Sequence, residues 1–426
     1  MASIRSFFKE KKQSKKPAYN VSEEISIETL KQLIPIRNLD EEKLKSFVLD
    51  NRAESLPKGK ILFSINETTD SAIYLLNGIV SLSDNLGKSF DIDASDAEAK
   101  FPLSSGVKHS TTAIAKTDIS FICVSQKIMS TDPSKKQLTK IQIPATLSNS
   151  RILQLFAQHF QDEELEIPLL PSVAIKLRKA MQNDIGVDDA VKIIQMDPVI
   201  SAKLIDVANC PLYVSAIPAK SCFEAVNRIG LYATRNLVIS LCIKDIFKSD
   251  SKKIKHTLKK LWKRSLYLSS LSFVLASASK QKSPEEALLA GLICDIGVVP
   301  FLNFVANLPA DYYDEEEIDK VIPVVKAVVG ASLLKKWGFS DEFIEVALLS
   351  DDWYQNSGDS LSYTDIVVLS RLHAKIGSKE KLTLPAITSI PAASKLKNMS
   401  LSPENSLQML HDAKDKINDA LKSFSV

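Results

Sequence analysis

The sequence predicts a two-part chain, a small β-roll in the first third followed by an all-α region. Residues 56–125 hold short β-like runs set apart by turn signals, while helix caps punctuate the chain from residue 151 onward. Between them, residues 130–150 (STDPSKKQLTKIQIPATLSNS) are rich in Ser, Thr, Pro and Lys, the composition of a linker.

The roll rests on five runs: Ile61–Ile65, Ala72–Leu76, Ile79–Leu82, Thr111–Ala115 and Ile119–Val124. Asn77-Gly78 between the second and third predicts a hairpin, because a tight type I′ turn needs two residues tolerant of positive φ. Asn85-Leu86-Gly87 marks another turn. Two short helices, over 26–34 and 40–50, are expected before the roll.

In the second part, Asp197-Pro198 joins an N-cap oxygen to a proline at the first helical position. Ser221…Glu224 is a capping box, and Gly230 is placed to end its helix. Helices are expected over Asn236–Phe247, Leu258–Ser279, Pro284–Ile296, Ile322–Trp337 and Asp341–Leu349, with a last amphipathic one from Ser402 to Phe424.

The 426 residues carry a net charge of +3, but the first twenty hold Arg5, Lys9, Lys11, Lys12, Lys15 and Lys16 against Glu10, or +5. The remainder sums to −2, which argues against nucleic acid as the partner of the body and leaves a basic, solvated tail. Twelve glycines are under half the usual ~7%, and neither a P-loop nor a GxGxxG fingerprint occurs. Cys123, Cys210, Cys222, Cys242 and Cys294 are scattered and odd in number, as expected of reduced thiols in the cytoplasm. No signal peptide is expected, and no run is expected to approach the ~20 apolar residues of a membrane span, since Ala287–Cys294 is stopped by Asp295.

Two family resemblances refine this picture. Lys58-Gly59, Ile61-Leu62-Phe63 and Ala72–Val80 resemble the first half of a cyclic-nucleotide-binding domain. In that family a Gly-Glu pair takes the ribose and an Arg grips the cyclic phosphate. The matching stretch here, Phe101–Ala113, has no Gly-Glu pair, and the Arg position falls near Lys108 and His109. Asp91, Asp93, Asp96 and Glu98 make the approach acidic, which repels phosphate. The resemblance leaves two roles open: a receptor using Lys108 or His109 for a cyclic nucleotide, or a retained roll that packs or senses something else. The sequence favours the second.

Residues 166–373 resemble the HDOD domain, a relative of the HD and HD-GYP metal-dependent phosphohydrolases. The resemblance is carried by Ile167–Pro171, Gln195–Pro198, Lys203–Asn209, Glu224–Gly230, Leu261–Leu266, Ala290–Gly297 and Val329–Trp337. A catalytic HD site needs imidazoles and a carboxylate around its metals. Here Arg264, Cys294-Asp295, Lys326 and Asp351-Asp352 stand at the matching positions, and His109, His159, His256, His373 and His411 all lie elsewhere. Arg and Lys cations offer a metal no lone pair, so no metal, cofactor or catalytic residue is expected. Arg264, Lys326, Asp295 and Asp351 could instead converge as a metal-free ionic cluster, or lie apart as solvated charges in an opened site.

The other matched residues are expected to be structural. Asp197 and Pro198 cap a helix, and Asn209 binds loop backbone. Gly230, Gly291, Gly297 and Gly330 end helices or allow close packing, while Trp262 and Trp337 fill core.

The expected organisation is thus multidomain: a basic tail (1–26), a cyclic-nucleotide-binding-like α+β roll (27–129), a linker (130–150), an all-α HDOD domain (151–378), and a C-terminal extension with the amphipathic helix (379–426). The resemblance implies a cytoplasmic, non-enzymatic signalling protein that contacts other proteins. A nucleotide receptor and a metal-dependent phosphodiesterase are the alternatives, and a homodimer is left open.

Overall fold

The computed structural model describes residues 20–39, 44–45, 47–48, 51–85, 87–126, 140–162, 168–210, 213, 217–249, 251–309, 312–375 and 384–396. The expected helix at 402–424, most of that at 40–50, residues 1–19 of the tail and residues 130–139 of the linker lie outside these.

The N-terminal unit is a roll of two four-stranded antiparallel sheets. Its strands are β1 (Asn20–Glu24), β2 (Arg52–Leu56), β3 (Ile61–Phe63), β4 (Ser71–Asn77), β5 (Ile79–Ser83), β6 (Ser89–Asp93), β7 (Thr112–Ala115) and β8 (Ile119–Ser125). One sheet runs β1-β2-β8-β4 and the other β3-β7-β5-β6. The expected tail therefore ends earlier than 26, because Asn20–Glu24 pairs with β2.

Asn77-Gly78 does not close a hairpin. β4 pairs with β8 while β5 pairs with β6 and β7, so the chain turns a corner from one sheet into the other. Gly78 has φ +86°, and a Cβ there would lie 2.5 Å from the Asp118 carbonyl. Of the two positive-φ residues the signal implied, only Gly78 has one, and positive φ serves a corner as well as a pairing turn. The turn near Gly87 does join paired strands, with Ser83 opposite Ser89.

Side chains alternate across a strand, and both faces of β4 and β8 are used. Ile73, Leu75, Ile119 and Phe121 point between the sheets. Ala72, Tyr74, Ile122 and Val124 join a second apolar cluster that continues without a break into the helical unit. Ile141, within the expected linker, is also buried in that cluster.

After a short helix α1 (Ile27–Leu30), the helical unit comprises α2 (Arg151–Gln161), α3 (Ser172–Met181), α4 (Val187–Ile194), α5 (Pro198–Ala208), α6 (Cys222–Ile229), α7 (Leu231–Ile243), α8 (Lys252–Ser279), α9 (Pro284–Ile293), α10 (Val298–Ala306), α11 (Glu315–Lys336), α12 (Asp341–Leu349), α13 (Tyr363–Lys375) and α14 (Pro391–Ser394).

The caps work as their chemistry requires. Asp197 accepts the Val199 and Ile200 amides at 3.0 and 3.1 Å. Ser221 accepts the Glu224 amide, and the Glu224 carboxylate reaches back to the Lys220 amide at 2.8 Å. Gly230 leaves α6 with φ +87°. Asn209 clamps Ala219 through both its amide and its carbonyl. The Trp337 indole donates to the Pro168 carbonyl at 3.0 Å, and Trp262 is buried beside Phe247.

Pro284–Ala306 is apolar enough to pass a length-and-composition test for a membrane span, contrary to the expectation from the sequence, but 89% of its apolar window is buried inside the protein. The Cys294–Gly297 turn divides it into α9 and α10. A Cβ on Gly297 would come within 2.1 Å of the Lys326 carbonyl and 2.4 Å of the Gly330 amide nitrogen. Only glycine lets α11 lie this close to the turn, and that approach sets Lys326 over Asp295.

Candidate functional site

The matching HD positions meet at the centre of the helical unit. Asp295 comes from the α9–α10 turn, Arg264 from α8, Lys326 from α11 and Asp351 from just beyond α12. The Lys326 Nζ lies 2.9 Å from Asp295 Oδ1 and also bonds Asp351. Arg264 Nη2 stands 3.6 Å from Asp295 Oδ2. The two central groups are buried, with side-chain exposure of 2% for Asp295 and 11% for Lys326, whereas Arg264 and Asp351 are half exposed at the rim.

A fifth member, Arg371 on α13, was not among the expected residues. Its fork donates to Asp295 Oδ1 at 2.7 Å and Oδ2 at 3.2 Å, and to the Ser350 hydroxyl at 3.2 Å. It also pairs with Asp351 at 3.2 Å. This two-point grip is the strong geometry for guanidinium and carboxylate. Arg371 had a faint sequence signal, the one Arg or Lys between Tyr363 and His373, a stretch of α13 that is buried throughout.

The electrostatics follow from the geometry. Burial alone would raise the Asp295 pKa, but Arg371, Lys326 and Arg264 outweigh it and hold the carboxyl far below its ordinary value. Asp351 is likewise lowered against the cost of burial, mainly by Arg371 and Lys326. Three cations against two carboxylates leave one formal positive charge. Cys294 is a buried thiol whose pKa burial pushes up to about 12, so it stays protonated and is a poor metal ligand.

These residues do not fit a metal. Both Asp295 oxygens already accept cationic donors, and the neighbouring ammonium and guanidinium groups would repel a second cation. Among the described residues no group of three or more His, Cys, Asp or Glu is placed to hold one. His109 and His373 are buried elsewhere, His159 lies against Phe304, and His256 is exposed on α8. His411 lies outside the described residues.

The two candidate nucleotide contacts of the roll, Lys108 and His109, differ in exposure. Lys108 is exposed. His109 is not presented to a ligand: it is buried, stacked on Phe63 at 4.1 Å, and bonded through Nδ1 to the Ser104 hydroxyl at 2.7 Å. Burial lowers its pKa, which disfavours the imidazolium a phosphate would need.

The sequence profile of the HDOD domain matches residues 167–352. The helical unit contains an HDOD domain. A Shewanella amazonensis structure, named as a candidate metal-dependent phosphohydrolase, is 24% identical and covers 64% of this chain and 98% of its own, with a TM-score of 0.56. That likeness shows the fold. A cyclic-nucleotide-binding-like protein from Brucella abortus is 18% identical over 24% of this chain and 91% of its own, at a TM-score of 0.20. An uncharacterised Treponema pallidum protein is 22% identical over 224 residues, 49% of this chain; the match spans only 42% of that relative's length.

Removing the carboxylate would strand the cations it neutralises. Asp295→Ala is therefore expected to lower unfolding stability by about 3–5 kcal/mol, measured by urea denaturation. A loss under about 1 kcal/mol would mean that the cluster holds nothing together.

A buried imidazole elsewhere on α13 sets an acid limit. His373 is buried, neither ring nitrogen has a hydrogen-bond partner, and burial lowers its pKa from 6.5 to about 4. The folded state thus binds this proton less readily than the unfolded chain. Its stabilising share is complete above pH 6.5 and declines as pH falls toward 4, by on the order of 3 kcal/mol at about 1.4 kcal/mol per pKa unit. Denaturation midpoints of the wild type should fall across that window, and those of His373→Leu should fall less; parallel profiles would contradict it.

Proposed function

We propose that this is a non-catalytic regulatory protein of the cytoplasm, in which the HDOD domain contacts other proteins and the roll is an input or docking module. An HDOD domain supports a regulatory role. The observation that carries the non-catalytic part is the position of Lys326, whose ammonium lies between Asp295 and Asp351. With Arg371 on the same carboxylates, the ion pairs fill the place a polarising metal would need.

Three further features support the rest. Large apolar side chains stand in solvent along the first half of the domain, including Leu169 at 83% exposure and Ile217 at 73%, together with Val199 and Tyr232; such groups supply contact area for a protein partner. The five cysteines, all among the described residues, form no disulfide and four of them are buried, which suits a reducing compartment. In the roll, Phe101–Gly106 is buried throughout, and His109 faces the interior.

The test is direct. The purified protein should carry no stoichiometric transition metal and, with Mn²⁺ or Mg²⁺ added, should hydrolyse neither cyclic-di-GMP nor a phosphomonoester above the rate of Asp295→Asn. In the same preparation, millimolar cAMP, cGMP or cyclic-di-GMP should leave the melting temperature unchanged, since a ligand at about 100 times its Kd would add ~2.7 kcal/mol. Metal-dependent turnover lost in Asp295→Asn would overturn the non-catalytic assignment, and a saturable thermal shift would make the roll a receptor.

A further inference from the structure

The stretch where related rolls grip a nucleotide is covered in this protein by the chain itself. Residues 384–396 return from the helical unit and lie on it. The Ser105 hydroxyl donates to the Ser389 carbonyl, and the Ser110 hydroxyl donates to the Thr388 carbonyl. Gly106 sits against Ser394 so closely that a Cβ at 106 would fall 2.5 Å from the Ser394 hydroxyl oxygen. The roll thus meets the segment through two side-chain donors and a glycine that leaves room for it.

The other side of the segment is anchored in the HDOD unit. Lys395 Nζ lies 3.1 and 3.0 Å from the two Asp365 oxygens, and both side chains are almost fully buried, at 2% and 0% exposure. Asp365 also accepts Gln355 Nε2 at 2.6 Å and both the amide and hydroxyl of Ser362 at 2.8 Å. The Lys395 carbonyl accepts from Gln281 at 3.1 Å. Ile387, Ile390 and Ala392 are buried in the cluster shared by roll and helices.

We infer that residues 384–396 are a ligand of the roll carried in cis, an apolar, serine-containing peptide held on the 101–110 face by carbonyl contacts and locked to α13 by the Lys395–Asp365 pair. The lock makes the two grips depend on each other. Neutralising Lys395 leaves a buried carboxylate short of its cation, which favours release of the segment. Release then uncovers Phe101–Gly106. Tethering explains how modest contacts suffice, because a segment on a short linker is present at an effective concentration in the millimolar range.

Amide hydrogen exchange on the full-length chain tests this from both sides. Lys395→Met on the helical side should raise exchange at least tenfold in 384–396 and in 101–110 together, while β8 and α8 keep wild-type protection. Gly106→Ala on the roll side should give the same paired response, and Ser394→Gly added to it should restore protection toward wild type by removing the clashing hydroxyl. A synthetic peptide of residues 384–396 should bind Lys395→Met saturably and wild type at least tenfold more weakly. Faster exchange in 384–396 with 101–110 unchanged in both variants would overturn the proposal. So would equal peptide affinity for wild type and variant.

Discussion

A carboxylate buried at the centre of an α-helical unit has to be neutralised, and much of the HDOD half is arranged around that requirement. Asp295 is 1% exposed and sits on the turn that breaks an otherwise apolar stretch into α9 and α10. Its charge is answered from three directions, by Arg264 on α8, Lys326 on α11 and Arg371 on α13. The constraint reaches into backbone packing as well. Lys326 can reach Asp295 because Gly297 lets α11 approach the turn at a distance that no side chain at that position would allow. A protein that used a metal at this place would need lone pairs pointing inward; this one supplies protons.

Such a cluster need not add much net stability. Removing charges from water costs several kcal/mol per ion, and the attraction between them returns roughly that amount when the geometry is good. What it imposes is mutual dependence, since the loss of one member leaves the others uncompensated. Three helices and two turns are tied to one point, so the unit is poorly suited to opening there. The second buried pair, Asp365 with Lys395, has the same character but a different position. It fastens a short C-terminal segment rather than the core helices, and that segment also touches the roll. The two domains are thereby joined by a shared apolar cluster and by a charged peg.

Local features were legible in the sequence where a residue type has one strong physical use. Asp197-Pro198, Ser221 with Glu224, and Gly230 mark helix ends because few other residues satisfy those backbone groups. Most apolar strands were also visible. β1, β2 and β6 were not, because their runs, NVSEE, RAESL and SFDID, are too polar to show an apolar pattern. Asn77-Gly78 misled because local sequence specifies a backbone conformation, while pairing between strands is decided by which apolar face each must bury. In the site, four members were traceable to positions matched by family resemblance. Arg371 and the Asp365–Lys395 pair were not, since their partners lie 76 and 30 residues away and no local pattern reports so distant a neighbour.

The account depends on Asp295 and Lys326 acting as partners in place of a metal, and a double-mutant cycle measures that most directly. Asp295→Asn, Lys326→Met and the double variant would be compared with wild type by urea denaturation at neutral pH with a chelator present. The account predicts that the double variant is more stable than the sum of the single losses implies, with a coupling energy above about 1 kcal/mol, within the range seen for contacting pairs. Losses that add to within about 0.5 kcal/mol would contradict it.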